Sequence, residues 1–139
     1  MIKSVENRET GSDFAIIRLR RPVLDRSPLQ YRQSGTVPSN QELIVIGHPS
    51  GLPTKVSDEA EVSGNEMPAF FLSNLDAFGG NSGSPVLDAE TGIVEGVLVR
   101  GEYDYVRQNG CKRPKFCAND MTGCSGEGAT RITEVLPFL

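Results

Sequence analysis

The stretch of this sequence best suited to chemistry is GGNSGSPV, Gly79–Val86, in which a serine stands among glycines. Glycine tolerates positive φ and close backbone approach, so this composition predicts a tight loop that turns backbone N–H groups into one small space. Acyl transfer needs a serine oxygen within reach of a base, and N–H donors where the oxyanion develops. The pattern therefore predicts Ser82 as a nucleophile, with the N–H groups of Gly80 and Ser82 as the donors.

Two other interpretations of this loop stay open. It could be a glycine-rich β-turn that carries an ordinary exposed serine. It could also be a nest of N–H groups over residues 79–83 that binds an anion in an unrelated β domain. The sequence segments on either side of the loop are needed to choose among these three interpretations.

The segments around the loop have the composition of short strands separated by turns. Runs of β-branched and apolar residues bounded by Gly, Pro and polar residues predict strands. Residues 1–12 are expected to be a loose polar terminus, residues 24–40 a linker, and ATRITEVLPFL a helical turn or a final strand. No internal repeat or amphipathic helix of normal length is visible, so the pattern favours an all-β barrel or sandwich. The predicted strands are DFAIIRLRRPV, ELIVIGHP, KVSDEAEVSG, AFFLSNL and the hairpin SPVLDAETGIVEGVLVRGEY.

Composition narrows the class of protein further. The 139 residues are 37% hydrophobic, which is enough for one packed domain. A formal net charge of −4 and a pI near 5.0 provide no broad cationic face, so neither a nucleic acid nor a membrane is expected as a partner. No apolar run approaches the roughly 20 residues that span a bilayer, and MIKSVENRET contains no apolar signal region.

Three cysteines, Cys111, Cys117 and Cys124, lie in the polar segment CKRPKFCANDMTGC. A zinc site would need a fourth ligand, and the only histidine, His48, is far away in sequence, so no metal is expected. A disulfide in an exported protein is the favoured interpretation, with the third thiol free or once paired to an absent segment. Reduced, inert thiols are the alternative.

The order of the segments resembles that of the chymotrypsin-like serine proteases, in particular the bacterial glutamyl endopeptidases and their trypsin-like peptidase relatives. GGNSGSPV resembles the nucleophile motif of that family, SDFAIIRL its Asp-x-Ala-Ile/Val-x-Leu segment, and LIVIGHPSGLPTKV its strand and Gly-x-Pro loop. The resemblance spans most of residues 12–139. It implies that residues 36–139 form the C-terminal β-barrel of a double-barrel protease, and residues 1–35 the last strand of the N-terminal barrel and the linker. It also implies a secreted or periplasmic protein that needs no cofactor.

The resemblance assigns roles to individual residues. Ser82 corresponds to the nucleophile, Gly80 and Ser82 to the oxyanion-hole donors, and Asp13 to the carboxylate that orients the catalytic imidazole. From chemistry alone, Asp13 is merely an acid beside a hydrophobic strand. VEGVLVRGE stands where the family pairs with substrate backbone, so Val99 and Gly101 are expected to bind substrate.

One member of the Ser-His-Asp triad has no counterpart. In this family the histidine lies upstream of the aspartate, yet none of the 12 residues before Asp13 is a histidine. His48, in GHPSGLP, stands where the family has a loop residue, so it is predicted to pack or hydrogen-bond at a turn. The chain is therefore expected to be a C-terminal fragment of a serine endopeptidase, inactive alone. Its expected partners are a peptide or protein substrate and the missing N-terminal barrel; the alternative is a pseudoprotease that binds a peptide without cutting it.

The residue expected to set specificity is Asp76, six residues before Ser82. Trypsin-like enzymes keep the acidic base of the primary pocket there, and an aspartate in that place would select Lys or Arg. Glutamate-specific relatives tend to place a hydroxyl residue nearby instead. Phe78 stands where trypsin-like enzymes hold a pocket cysteine, and Arg100 could itself neutralise Asp76. Basic specificity and a solvated or salt-bridged Asp76 both stay open.

Overall fold

The structure, a computed structural model, describes residues 2–115, 117–118 and 121–139. Within these residues the regular structure consists of ten strands and three short 3₁₀ turns, over Pro49–Gly51, Ile132–Glu134 and Leu136–Phe138. The predicted all-β class is therefore confirmed. The strands are β1 (Lys3–Glu6), β2 (Asp13–Ile16), β3 (Glu42–Gly47), β4 (Lys55–Gly64), β5 (Phe70–Ser73), β6 (Pro85–Asp88), β7 (Val94–Arg100), β8 (Tyr105–Gln108), β9 (Cys111–Pro114) and β10 (Glu127–Arg131).

Six of the strands close into a barrel in the order β10-β5-β4-β3-β6-β7, and all the paired neighbours are antiparallel. Alternation along β3 shows why the sequence folds this way, since Leu43 and Val45 are buried while Ile46 faces outward. Closure pairs every barrel strand on both sides and leaves no open edge. The interior is filled by Val37, Leu43, Val45, Ala60, Val62, Phe71, Leu75, Ala77, Val86, Leu98 and Ala129.

Residues 2–35 form an arm outside the barrel, which carries a two-stranded sheet. β1 pairs antiparallel with β2, from Lys3 opposite Ile16 to Glu6 opposite Asp13. The prediction of a loose terminus over residues 1–12 was therefore wrong for residues 3–6. Of the KSVE side chains only Val5 is even partly buried, so the strand depends on cross-strand hydrogen bonds and leaves no hydrophobic pattern in the sequence.

Hydrogen bonds and a ring contact attach residues 11–14 of the arm to the barrel and to the C-terminal 3₁₀ turn. The Asp13 N–H donates to Thr130 Oγ1 at 3.0 Å, and Arg100 Nη2 donates to the Gly11 carbonyl at 2.6 Å. Phe14 is buried, and its ring centroid lies 5.7 Å from that of Phe138. The position of Asp13 is thus set by β7 and β10 of the barrel.

The rest of the arm, from residue 17 to residue 30, runs without regular structure. It returns to the barrel where Tyr31 forms a bridge with Val94 and Arg32 forms an ion pair with the buried Glu95 at 2.5 Å. Between these two attachments the arm exposes large apolar side chains to solvent. They are Ile17, Leu19, Val23, Leu24 and Leu29.

A second small sheet follows the barrel strand β7. β8 pairs with β9 around a turn at Asn109 and Gly110, both of which have positive φ. No strand was predicted from the sequence here, although Asn-Gly is the strongest short-range signal for a two-residue hairpin. Next to this hairpin, Cys117 and Cys124 form a disulfide while Cys111 is a free, exposed thiol, which confirms the expected disulfide and its unpaired third cysteine.

Candidate active site

The predicted nucleophile lies at the exposed tip of the loop between β5 and β6. Backbone hydrogen bonds hold the loop: the Ser84 N–H donates to the Asn81 carbonyl at 2.9 Å, and the Gly83 N–H donates to the Leu98 carbonyl of β7 at 2.7 Å. Asn81 is only 5% exposed. The hydroxyl of Ser82 is therefore presented to solvent by a loop whose neighbouring residues are fixed.

Gly80 has a conformation that a larger residue would not tolerate. Its φ is +100°, and an added Cβ would lie 3.1 Å from both the His48 carbonyl oxygen and the Ser50 nitrogen. Neither the Gly80 N–H nor the Ser82 N–H donates a hydrogen bond to any acceptor among the described residues. Two unpaired N–H groups beside a serine hydroxyl can hold a developing negative oxygen.

Ser82 and Asp13 are connected through one residue of the predicted substrate strand. Ser82 Oγ donates to the Val99 carbonyl at 3.3 Å. Val99 and the half-buried Asp13 line the same cavity of about 450 Å³, which lies between the arm and the barrel. The structure thus brings three of the predicted site residues into one neighbourhood, with open space on the Asp13 side.

His48 takes no part in this neighbourhood. Its Nδ1 lies 3.2 Å from the Leu52 carbonyl and its Nε2 lies 3.5 Å from Thr54 Oγ1, both within the loop after β3. No hydrogen bond joins its ring to Ser82 or Asp13 in the described part of the chain. The ring has the turn role that its sequence position predicted.

A second cavity, of about 200 Å³, is lined by the residues that lead into the loop of Ser82 and contains the predicted pocket residue. Asp76 is exposed and lines it together with Phe78, whose ring packs on that of Tyr105 at 5.7 Å. Arg100 points elsewhere, with its guanidinium 5.0 Å from the centre of the Phe70 ring. No ion pair joins Arg100 to Asp76 among the described residues, so that alternative for Asp76 was wrong.

The same cavity contains an acid that sequence reasoning missed. Glu127, on β10, is 8% exposed. Burial raises the pKa of its carboxyl to about 7, and the negative charges of Asp104, Glu102 and Asp76 add to this, against a hydrogen bond from the Glu102 N–H that lowers it. The available signal was the GEG of SGEGATR, an acid within a segment that otherwise reads as a buried strand.

The one lysine at this cavity is bound by another acid. Lys115 Nζ lies 2.7 Å from Glu102 Oε2, and the N–H and hydroxyl of Ser125 also donate to Glu102. These contacts, Lys115 first, lower the pKa of Glu102 to about 2. The Lys115 ammonium group is therefore paired with the Glu102 carboxylate.

Asp104, just before β8, contacts the loop of Ser82, and Tyr105, at the start of β8, contacts Ser50. Asp104 Oδ2 accepts the Gly79 N–H at 2.8 Å, and the Tyr105 hydroxyl lies 3.1 Å from Ser50 Oγ. Ser50 in turn donates its N–H to the Gly79 carbonyl at 2.6 Å. Both the N–H and the carbonyl of Gly79 thus form hydrogen bonds just before Gly80.

The closed barrel and the serine loop beside it define the fold of the chymotrypsin-like serine proteases. A family model described as a trypsin-like peptidase domain matches residues 2–97, and the chain belongs to this family. None of the helices in the described residues is long and apolar enough to cross a membrane.

Two solved structures of the protein Rv3671c from M. tuberculosis have a similar fold. The active form of this protease is 19% identical, with a TM-score of 0.55 over 85% of this chain and 49% of its own. The inactive form of a serine-to-alanine mutant is 17% identical, with a TM-score of 0.56 over 84% of this chain and 53% of its own. This chain therefore spans about half the length of these structures. No curated protein matches the sequence significantly.

Proposed function

We propose that this chain provides the nucleophile, the oxyanion hole and the substrate-binding strand of a serine endopeptidase. The observation that supports this most is the connection from Ser82 Oγ to the Val99 carbonyl and onward to the cavity that Asp13 lines. Val99 is thus a common neighbour of the Ser82 hydroxyl and of the cavity that Asp13 lines.

In the proposed reaction, Ser82 Oγ attacks the carbonyl carbon of the scissile bond while its proton passes to an imidazole oriented by Asp13. The N–H groups of Gly80 and Ser82 hold the oxyanion of the tetrahedral intermediate. The imidazolium then protonates the leaving amine, and water hydrolyses the acyl-enzyme by the same steps. The backbone of Val99 and Gly101 pairs with the substrate beside the serine.

The base in this proposal does not come from this chain. Its single histidine, His48, is engaged at a turn, and Ser82 Oγ donates to a backbone carbonyl. We propose that the imidazole is provided by an N-terminal barrel of the same protein, which would pack on the arm and its exposed apolar residues. The chain alone is then expected to retain only the small acceleration that binding and an oxyanion hole give.

The proposed cellular location is outside the cytoplasm, either secreted or periplasmic. The Cys117–Cys124 bond supports an oxidising compartment, because cytosolic thiols are usually kept reduced. A peptide or protein is the proposed substrate, since the site lies in an open surface between the arm and the barrel.

The nucleophile assignment can be tested on this chain with a serine-directed fluorophosphonate probe. Labelling should be slow alone and increase at least tenfold when free imidazole is added, because the cavity beside Asp13 can admit a small base. The Ser82→Ala variant should lose this labelling, while Ser84→Ala, a serine in the same loop, should keep it. Labelling that persists in Ser82→Ala would contradict the assignment, and equal enhancement in Asp13→Asn would contradict the role of Asp13.

A peptide-binding protein without catalysis is the second candidate, and the engagement of His48 at a turn favours it. In that case peptides would bind the chain uncut, and Ser82 would stay unlabelled at any imidazole concentration. The same labelling experiment on the full-length natural protein separates the two functions. Labelling there without added imidazole would exclude the second candidate.

A further inference from the structure

The hairpin of β8 and β9 pairs only with itself among the described strands. All eight of its strand residues are exposed, and its sheet is separate from the barrel. Each of the two strands therefore has an outer edge whose backbone N–H and C=O groups lack a partner strand. Such an edge can accept an extended peptide as a third strand.

The hairpin is cationic, whereas the chain as a whole is acidic. Arg107, Lys112 and Arg113 are exposed and positive, and the segment from Tyr105 to Pro114 contains no acid. The whole chain, by contrast, has a formal net charge of −4. The ion pairs formed within the described residues involve none of these three cations. The hairpin therefore offers its positive charge to a partner.

The acids that immediately precede the hairpin are engaged elsewhere. The Glu102 carboxylate pairs with Lys115 Nζ at 2.7 Å, and Asp104 Oδ2 accepts the Gly79 N–H at 2.8 Å. Neither carboxylate forms an ion pair with a cation of the two strands in the described part of the chain. The acids nearest in sequence thus leave the charge of the hairpin uncompensated.

Two of the cations lie directly opposite each other. Arg107 pairs with Lys112 in the register, so their side chains share one face of the hairpin. The turn between the strands consists of Asn109 and Gly110, both with positive φ. A two-residue turn of this kind closes on a hydrogen-bonded pair, so Arg107 and Lys112 form the next, non-hydrogen-bonded pair, with Cα atoms about 4.5 Å apart. Like charges in this arrangement are destabilising, and a bound anion would relieve their repulsion.

The edge of β8 suits a third strand better than the edge of β9. In a non-hydrogen-bonded pair the backbone N–H and C=O groups point away from the partner strand, so Arg107 offers both groups at the edge of β8. The corresponding position of β9 next to Lys112 is Pro114, opposite Tyr105, and proline has no N–H to donate. Along an added strand, alternate side chains would share the face of Arg107, and those between them the face of the exposed Val106.

We propose that the outer edge of β8 binds an extended acidic peptide segment as an antiparallel third strand. Carboxylates at alternate positions would pair with Arg107 and, from one strand further away, with Lys112, while an apolar side chain between them would lie beside Val106. A peptide is favoured over a nucleic acid because strand pairing along an edge uses a peptide backbone, and the acidic remainder of the chain repels a polyanion. This binding surface goes beyond the proposed function and does not depend on it.

The test measures peptide binding to the 139-residue chain by NMR titration. The probe is the acetylated and amidated pentapeptide Glu-Val-Glu-Val-Glu, and Gln-Val-Gln-Val-Gln is the uncharged peptide of the same shape. At low salt the acidic peptide should bind at least tenfold more tightly, and its affinity should fall at least fivefold at high salt because exposed charges are screened. Methylation of the backbone nitrogens of its three glutamates should weaken binding at least fivefold, since these N–H groups would face β8.

Three variants locate the site on one face of the hairpin. Arg107→Gln should remove most of the preference for the acidic peptide, and Lys112→Gln should reduce it about threefold. The matched control is Arg113→Gln, which removes the same charge from the same strand as Lys112 but from the opposite face, and should keep most of the preference. Equal losses in folded Arg107→Gln and Arg113→Gln proteins would indicate unspecific attraction and overturn the proposal.

Other outcomes would overturn it without any variant. Equal binding of the glutamate and glutamine peptides by the unmodified chain would exclude an acidic partner. Unchanged affinity of the methylated peptide would exclude strand pairing, and tighter binding of an oligothymidylate of the same length would indicate a nucleic-acid surface instead. Because binding uses neither Ser82 nor a base, these outcomes are independent of the labelling experiment that tests the proposed function.

Discussion

The barrel and the arm of this protein differ in how completely they pair their own strands and bury their own apolar side chains. In the barrel every strand is paired on both sides and the apolar side chains face one interior. In the arm, β1 and β2 pair only with each other, and the segment after them exposes five large apolar side chains. The loop that carries Ser82 belongs to the first region and Asp13 to the second.

The proposed catalytic residues are divided between these two regions. Ser82 and the Gly80 N–H are held by a region that stabilises itself. Asp13 belongs to a region with free strand edges and unburied apolar surface, which are features of a surface that another segment covers. Under the proposed function, the base would therefore approach the site from the side of the arm.

The largest expected effect contrasts two leucines, one from each region. Leu43 is 0% exposed in the barrel, so Leu43→Ala should lower the free energy of unfolding by about 3 kcal/mol through lost burial and a cavity. Leu24 is 88% exposed in the arm, and Leu24→Ala should change it by less than about 0.5 kcal/mol. Urea unfolding monitored by circular dichroism measures both. A large cost for Leu24→Ala would mean that the arm is packed in solution.

The next effect concerns the pH dependence of barrel stability. The pKa of Glu127 is raised to about 7 in the folded chain, so folding binds a proton that the unfolded chain loses above its ordinary pKa of about 4.5. Stability from this group is full well below pH 4.5 and falls by about 3 kcal/mol as the pH rises to 7. Glu102 acts oppositely, since its pKa is lowered to about 2 and its contribution is lost as the pH falls from about 4.5 towards 2.

Urea unfolding at pH 4.5, 6 and 8 tests this titration. The Glu127→Gln variant should lose the decline between pH 4.5 and 7, whereas Glu90→Gln should keep it. A decline of the same size in both variants would show that another group titrates, and the pH dependence would then not belong to the cavity.

A smaller effect is expected where the arm joins the barrel. Thr130→Val removes the hydroxyl that accepts the Asp13 N–H, at a cost of about 1 kcal/mol. Hydrogen exchange of the Asp13 amide should accelerate while amides inside β3 keep their protection. Uniform acceleration throughout the barrel would show that the arm and barrel unfold together, which would remove the distinction between them.

The smallest effect lies on the outer face of the arm. Glu6 and Arg8 form an ion pair at 3.4 Å between two highly exposed side chains. Glu6→Gln should change the free energy of unfolding by less than about 0.3 kcal/mol, since exposed pairs contribute little. Urea unfolding at low and at high salt should give the same small difference, and a cost above 1 kcal/mol would mean that β1 is held by charge.

The sequence was informative where a local pattern reflects burial. The apolar run in ELIVIG predicted β3, and the turn over Asp88 to Gly92 predicted the β6–β7 hairpin. β1, β8 and β9 were missed because nearly all of their side chains are exposed and leave no hydrophobic pattern. The missed strands are thus those that bury almost nothing.

The same distinction applies to the residues of the candidate site, because some have a local signature in the sequence and others do not. The loop around Ser82 has a local signature, because only glycine suits the φ and close contacts of Gly80. Asp13 was indicated by the order of segments and stays a prediction, as does Asp76. Glu127 was missed because its burial arises from contacts between β10 and residues that are distant in sequence, which no local pattern records.

The two hydrogen bonds that attach Asp13 and Gly11 to the barrel also determine when this part of the chain can become ordered. They join residues separated by 117 and 89 positions. Contacts of such length carry a high loop-closure entropy and form only after the strands that bear their partners are in place. The arm should therefore dock after β7 and β10 have paired, so that Asp13 reaches its place in the last step of folding.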